Sequence, residues 1–98
     1  MEAHVVHYLI KPGAGAAFAD TIRRQKDLLR RQPGFEDLKA LRHRDETDSY
    51  YVIAYWRSRD DMLAGYGAAV ASPDWPEVPD SVNQEAPQCW PRLRVLVE

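Results

Sequence analysis

Residues Tyr51-Val52-Ile53-Ala54-Tyr55-Trp56-Arg57-Ser58-Arg59-Asp60-Asp61 read as a strand that ends in a tryptophan and turns at once into a capped helix. The run from Tyr50 to Tyr55 is almost all aromatic or β-branched, which suits a strand covered on both faces. Ser58 is placed to accept a hydrogen bond from the Asp61 amide, and Asp60 and Asp61 put negative charge in the first helical turn. Trp56 therefore sits at a strand-to-helix junction, where its indole either fills a core or walls a pocket. The functional question turns on which.

The same two periodicities organise the rest of the chain. Residues 2–10 form a first strand rich in β-formers, ended by Lys11-Pro12-Gly13-Ala14-Gly15. A helix follows to about Arg31, with Ala17, Phe18, Thr21, Ile22, Gln25, Leu28 and Leu29 on its inward stripe. Pro33-Gly34 stops it, and a second strand runs from Phe35 through Leu41. The polar turn Asp45–Ser49 makes strands two and three a hairpin. The second helix, after Ser58, is expected to bury Met62, Leu63, Tyr66 and Val70, and Ser72-Pro73 breaks it. Trp75 to Gln88 carries three further prolines and reads as a long loop with room for one helical turn, lying over a pocket mouth or a partner subunit. Cys89–Val97 closes the chain as a fourth strand. The order is βαββαβ, a ferredoxin-like α+β arrangement of two helices on one face of a four-stranded antiparallel sheet.

Size and charge narrow the classes. The 98 residues fit one domain, 1–98, that buries roughly 60–65% of its unfolded surface. Strands apolar on both faces need cover on the side away from the helices, so a homodimer is expected. The balance of 13 Lys+Arg against 15 Asp+Glu argues against a nucleic-acid partner, and no polybasic run or apolar span points to a membrane. A lone Cys89 and no visible leader fit a cytoplasmic protein. No Walker loop, Gly-rich dinucleotide motif, serine elbow or zinc-spaced Cys/His cluster is present.

A first strand ending in Lys11-Pro12-Gly13, then Pro33-Gly34-Phe35, then Tyr51 through Trp56 to Ser58, resembles the antibiotic biosynthesis monooxygenase domain over roughly residues 4–73 and the last strand. The resemblance implies a dimeric α+β barrel, paired sheet to sheet, with a pocket between each sheet and its own helices. It also implies either cofactor-independent oxygenation of aromatic polyketides to quinones or haem degradation. The haem-degrading branch uses an asparagine on the first strand, a tryptophan near the end of the third and a histidine after the second helix. Here Val6 and Pro79 stand at the first and last of these places, and Trp56 alone matches. Valine cannot hydrogen-bond and proline cannot ligate iron, so no haem, metal or other cofactor is expected.

The candidate catalytic residues are accordingly Trp56, as the group that positions a flat ligand, Tyr66 as a hydroxyl donor and His7 as a base. Phe18, Ile22, Val6 and Met62 are expected to line the substrate cavity. His4 and His7 lie on opposite faces of the first strand, three residues apart, and cannot share a metal. Each histidine is also readable as a rim or dimer contact, Tyr66 as a structural hydrogen-bonding group and Cys89 as small buried filler. The expected activity is oxygenation of a small aromatic, polyketide-like or quinol molecule without a cofactor. The alternative is a non-catalytic barrel that binds a small apolar metabolite.

Overall fold

A computed structural model describes residues 1–98. It comprises β1 (Glu2–Leu9), α1 (Gly15–Leu29), β2 (Phe35–Arg42), β3 (Ser49–Trp56), α2 (Arg59–Ala71), a short 3-10 turn (Asp80–Val82) and β4 (Gln88–Arg94). The four strands form one sheet in the order β2-β3-β1-β4, every pairing antiparallel. This is the ferredoxin-like α+β fold expected from the order of elements, with the two most apolar strands at its centre.

Register decides what each face carries. His4 opposes Ala54, Val6 opposes Val52 and Tyr8 opposes Tyr50, so these residues share the face that meets the helices. The core on that face joins Ile10, Phe18, Ile22, Leu29, Leu38, Val52, Ala54, Trp56, Met62 and Ala69. On the opposite face Val5 pairs with Ile53 and Trp90, His7 with Tyr51, and Tyr51 with Leu41. Leu41, Tyr51, Trp90 and Leu93 remain exposed there.

Two local expectations shift. The fourth strand stops at Arg94 rather than Val97, because its neighbour β1 begins at Glu2 and the last inter-strand bond is Val95 N–H to Met1 O at 2.8 Å. Leu96 and Val97, without a strand to pair with, project into solvent. In α2 the buried stripe is Met62, Gly65 and Ala69, with Leu63 and Val70 exposed. The helix has rotated to bring its smallest residues against the sheet, because the Trp56 indole already occupies the space a side chain at Gly65 would need. The Ser58 cap forms as read, its Oγ accepting from the Asp61 amide at 3.1 Å.

No helix is long and apolar enough to cross a membrane.

Candidate functional site

Prolines 76, 79 and 87 prevent the segment between α2 and β4 from joining the sheet, so it must find other anchors. At its start the Gln25 side-chain amide, buried on α1, donates to Pro76 O at 2.8 Å. At its far end Lys11 N–H donates to Val82 O and Gln84 N–H to Leu9 O, both at 2.8 Å, and Asn83 bridges to Ile10. The Gln84 side chain adds a bond to Ile10 O at 2.9 Å. Pinned at both ends, the segment is a strap across the helix-bearing face of β1.

Beneath the strap lies a cavity of about 480 Å³, within the range of roughly 300–1,000 Å³ typical of small-molecule sites. Its floor is His4, Val6 and Tyr8 from β1, with Val52 and Leu38 beyond. Tyr66 and Val70 of α2 form one wall and Gln25 of α1 another. The strap supplies Trp75, Glu77, Val78, Asp80, Asn83 and Pro87. Most of the surface is apolar, with a few polar groups to orient a ligand.

Those polar groups are tuned by burial. The His4 ring lies against Tyr66 with centroids 4.6 Å apart, and its Nε2 is 3.3 Å from Cys89 Sγ. Burial pushes the His4 pKa below the ordinary value of 6.5, so the imidazole is neutral at pH 7 and free to accept a proton. Burial, then the neighbouring Tyr8 and Cys89 side chains, hold the Tyr66 hydroxyl well above its ordinary range, with the nearby Trp56 N–H acting slightly in the other direction. Tyr66 is thus a permanent O–H donor. Burial also raises Tyr8, with Cys89 and Glu77 adding to the effect. Two polar atoms are buried without a hydrogen-bond partner, Trp56 Nε1 and Asn83 Oδ1.

The sequence candidates divide among several places. Val6 and Tyr66 meet in the cavity. Trp56 has no exposed surface and stands behind Tyr66, 5.3 Å from it and from Phe35. Phe18 and Ile22 are core residues that border a different groove, between α1 and β2. Met62 borders a third hollow, shared with His4, Tyr66, Arg59 and Arg92. His7 is on the outer face of the sheet, where it bonds Ser49 Oγ at 2.7 Å and stacks on Tyr51 at 4.6 Å. The histidine brought to Tyr66 is His4. Sequence reasoning passed over Asn83, Glu77 and Asp80 as lining residues, although the tryptophan and prolines of the strap had marked it as cover. No three His, Cys, Asp or Glu side chains are grouped to hold a metal ion.

The model of the antibiotic biosynthesis monooxygenase family matches residues 1–65. The chain belongs to that family. Among solved structures, it is similar to SnoaB, a cofactor-independent oxygenase from Streptomyces nogalater, at 26% identity and a TM-score of 0.63, covering 99% of this chain and 98% of that one. It is also similar in fold to a variant of MhuD with two manganese protoporphyrin IX molecules bound per active site, at 15% identity and a TM-score of 0.80, covering 100% of this chain and 97% of that one. No curated protein matches the chain. Family members share the four-stranded sheet and paired helices described above, and the family is of the monooxygenase type.

Proposed function

We propose that this member of the family is a cofactor-independent monooxygenase for a small, flat, hydroxylated aromatic or quinol held beneath the strap. The observation that carries the reading is the neutral His4 packed against the protonated Tyr66 in one apolar cavity. His4, rather than His7, takes the role of base and draws the phenolic proton. The resulting aryloxide is electron-rich enough to reduce O2. One oxygen atom enters the ring as a carbonyl, and the other leaves as water with the hydrogen of the oxidised ring carbon and the phenolic proton that His4 had taken. Tyr66 donates to the oxygen on which charge develops, and the Val6, Val52, Leu38 and Val78 surface keeps water away. SnoaB, similar along nearly the whole chain, is a cofactor-independent oxygenase.

Haem does not fit the residues present. Val6 offers no hydrogen bond and Pro79 no ligand. No Lys or Arg lines the cavity to meet propionates.

The full burial of Trp56 favours a second reading, in which a dimeric barrel binds a small apolar metabolite without turning it over. Oxygen uptake by metal-free protein with anthrone as the probe separates the two: catalysed uptake supports the first, and binding without uptake the second. On either reading the exposed outer face of the sheet pairs with a second copy, and the one free thiol suits a reducing cytoplasm.

A further inference from the structure

The strap cavity has a one-sided charge. Fourteen residues line it, and none is Lys or Arg. Two are carboxylates, Glu77 and Asp80, both on the strap and both exposed at its edge. Neither belongs to any of the ion pairs of the molecule, which join Met1 to Glu98, Lys26 to Asp37, Arg30 to Asp27 and Arg57 to Asp61. Their charge is therefore not cancelled locally. It is felt inside the cavity, since Glu77 is one of the groups that hold the Tyr8 hydroxyl on its floor in the protonated state.

Asn83, also on the strap, has its Oδ1 buried without a hydrogen-bond partner. Arg59 and Arg92 border the adjoining hollow around Met62 and Leu63, which meets this cavity at His4 and Tyr66, on the side away from the strap, and they do not line the cavity itself. Arg23, Lys26 and Arg42 border the groove between α1 and β2, and Lys11 and Lys39 border two other hollows.

From this arrangement we infer that the cavity selects flat apolar ligands that present N–H or O–H donors to the strap, that an amine-bearing ligand binds best, and that carboxylates are rejected. The inference rests on the strap cavity being the ligand site proposed above and adds its substrate class. Glu77 and Asp80 are the specificity residues, on the strap, and His4 and Tyr66 act from β1 and α2.

Three naphthalenes bearing a methylamine, a methanol or a carboxylate are the probes, titrated by their own fluorescence against the full chain and against the double variant Glu77→Gln, Asp80→Asn. The expected order is amine, alcohol, carboxylate, with the amine about tenfold or more tighter than the carboxylate at low ionic strength and the gap narrowing with salt. In the double variant the alcohol keeps its affinity while amine and carboxylate converge. Both substituted residues are exposed, so the fold is retained. A carboxylate that binds as tightly as the amine, or an order that survives the double substitution, overturns the inference while leaving the cavity as the ligand site. If none of the three binds, the reading of the cavity as the ligand site fails, and the inference with it.

Discussion

The Trp56 indole lies against the α-carbon of Gly65, so that a β-carbon added there would overlap Cζ3 and Cη2 of the ring. Gly65→Ala gains about 1 kcal/mol of helix propensity but must displace a ring with no exposed surface. The clash wins, and a net loss of about 1–3 kcal/mol is expected in chemical denaturation. Gly67→Ala, two residues on with nothing within 4 Å of its added carbon, is expected to gain up to about 1 kcal/mol instead. Equal effects at the two positions would mean that α2 does not pack as described.

The same contact explains what the sequence could and could not show. Hydrophobic spacing in α2 pointed to Leu63 and Val70 as buried, yet both are exposed. A pattern of apolar residues cannot reveal that a distant indole needs a residue without a side chain. Strand alternation did separate His4 from His7, but it could not say which face the helices would cover, and His4 rather than His7 is the histidine that lines this cavity. Element order, the Ser58 cap and the covering role of the strap were legible, because each depends on local chemistry: periodicity, a hydroxyl at a helix start, and prolines that cannot pair. Phe18 and Ile22 were rightly placed on the inward stripe of α1, but that stripe meets more than one hollow.

Ser58 Oγ accepts from the Asp61 amide and donates to the Asp61 carboxylate at 3.0 Å. Ser58→Ala removes both bonds, and a loss of about 1 kcal/mol in urea unfolding is expected. Ser58→Asn, which restores an acceptor, should recover most of it.

Protonation of His4 links pH to stability. Its folded pKa lies below the unfolded value of 6.5, so the unfolded chain takes up the proton first as pH falls. Stability contributed by neutral His4 is therefore complete above 6.5 and is lost as pH drops from there toward the lowered folded value. Its neighbours Tyr66 and Cys89, both raised, stay protonated throughout and do not contribute to the change. Urea midpoints measured between pH 7.5 and 5 should decline in the native chain and decline less in His4→Gln. Identical slopes would remove His4 as the titrating group.

Tyr51 stands in the middle of the outer face, stacked on His7 and opposite Leu41. Sedimentation velocity at micromolar concentration is expected to give a dimer for the native chain and a folded monomer for Tyr51→Lys. A native monomer would remove the sheet-to-sheet pairing from this account.

Oxygen uptake tests the central claim most directly. Metal-free protein is mixed with anthrone, whose enol form is a phenol, and dissolved oxygen is followed alongside the appearance of anthraquinone. Saturable uptake is expected, with one O2 consumed per quinone formed. His4→Gln and Tyr66→Phe should each lower kcat by about 10²-fold or more while His7→Gln leaves it within twofold. Uptake no faster than in buffer, or uptake that depends on His7 and not on His4, would contradict the assignment of this cavity as an oxygenase site.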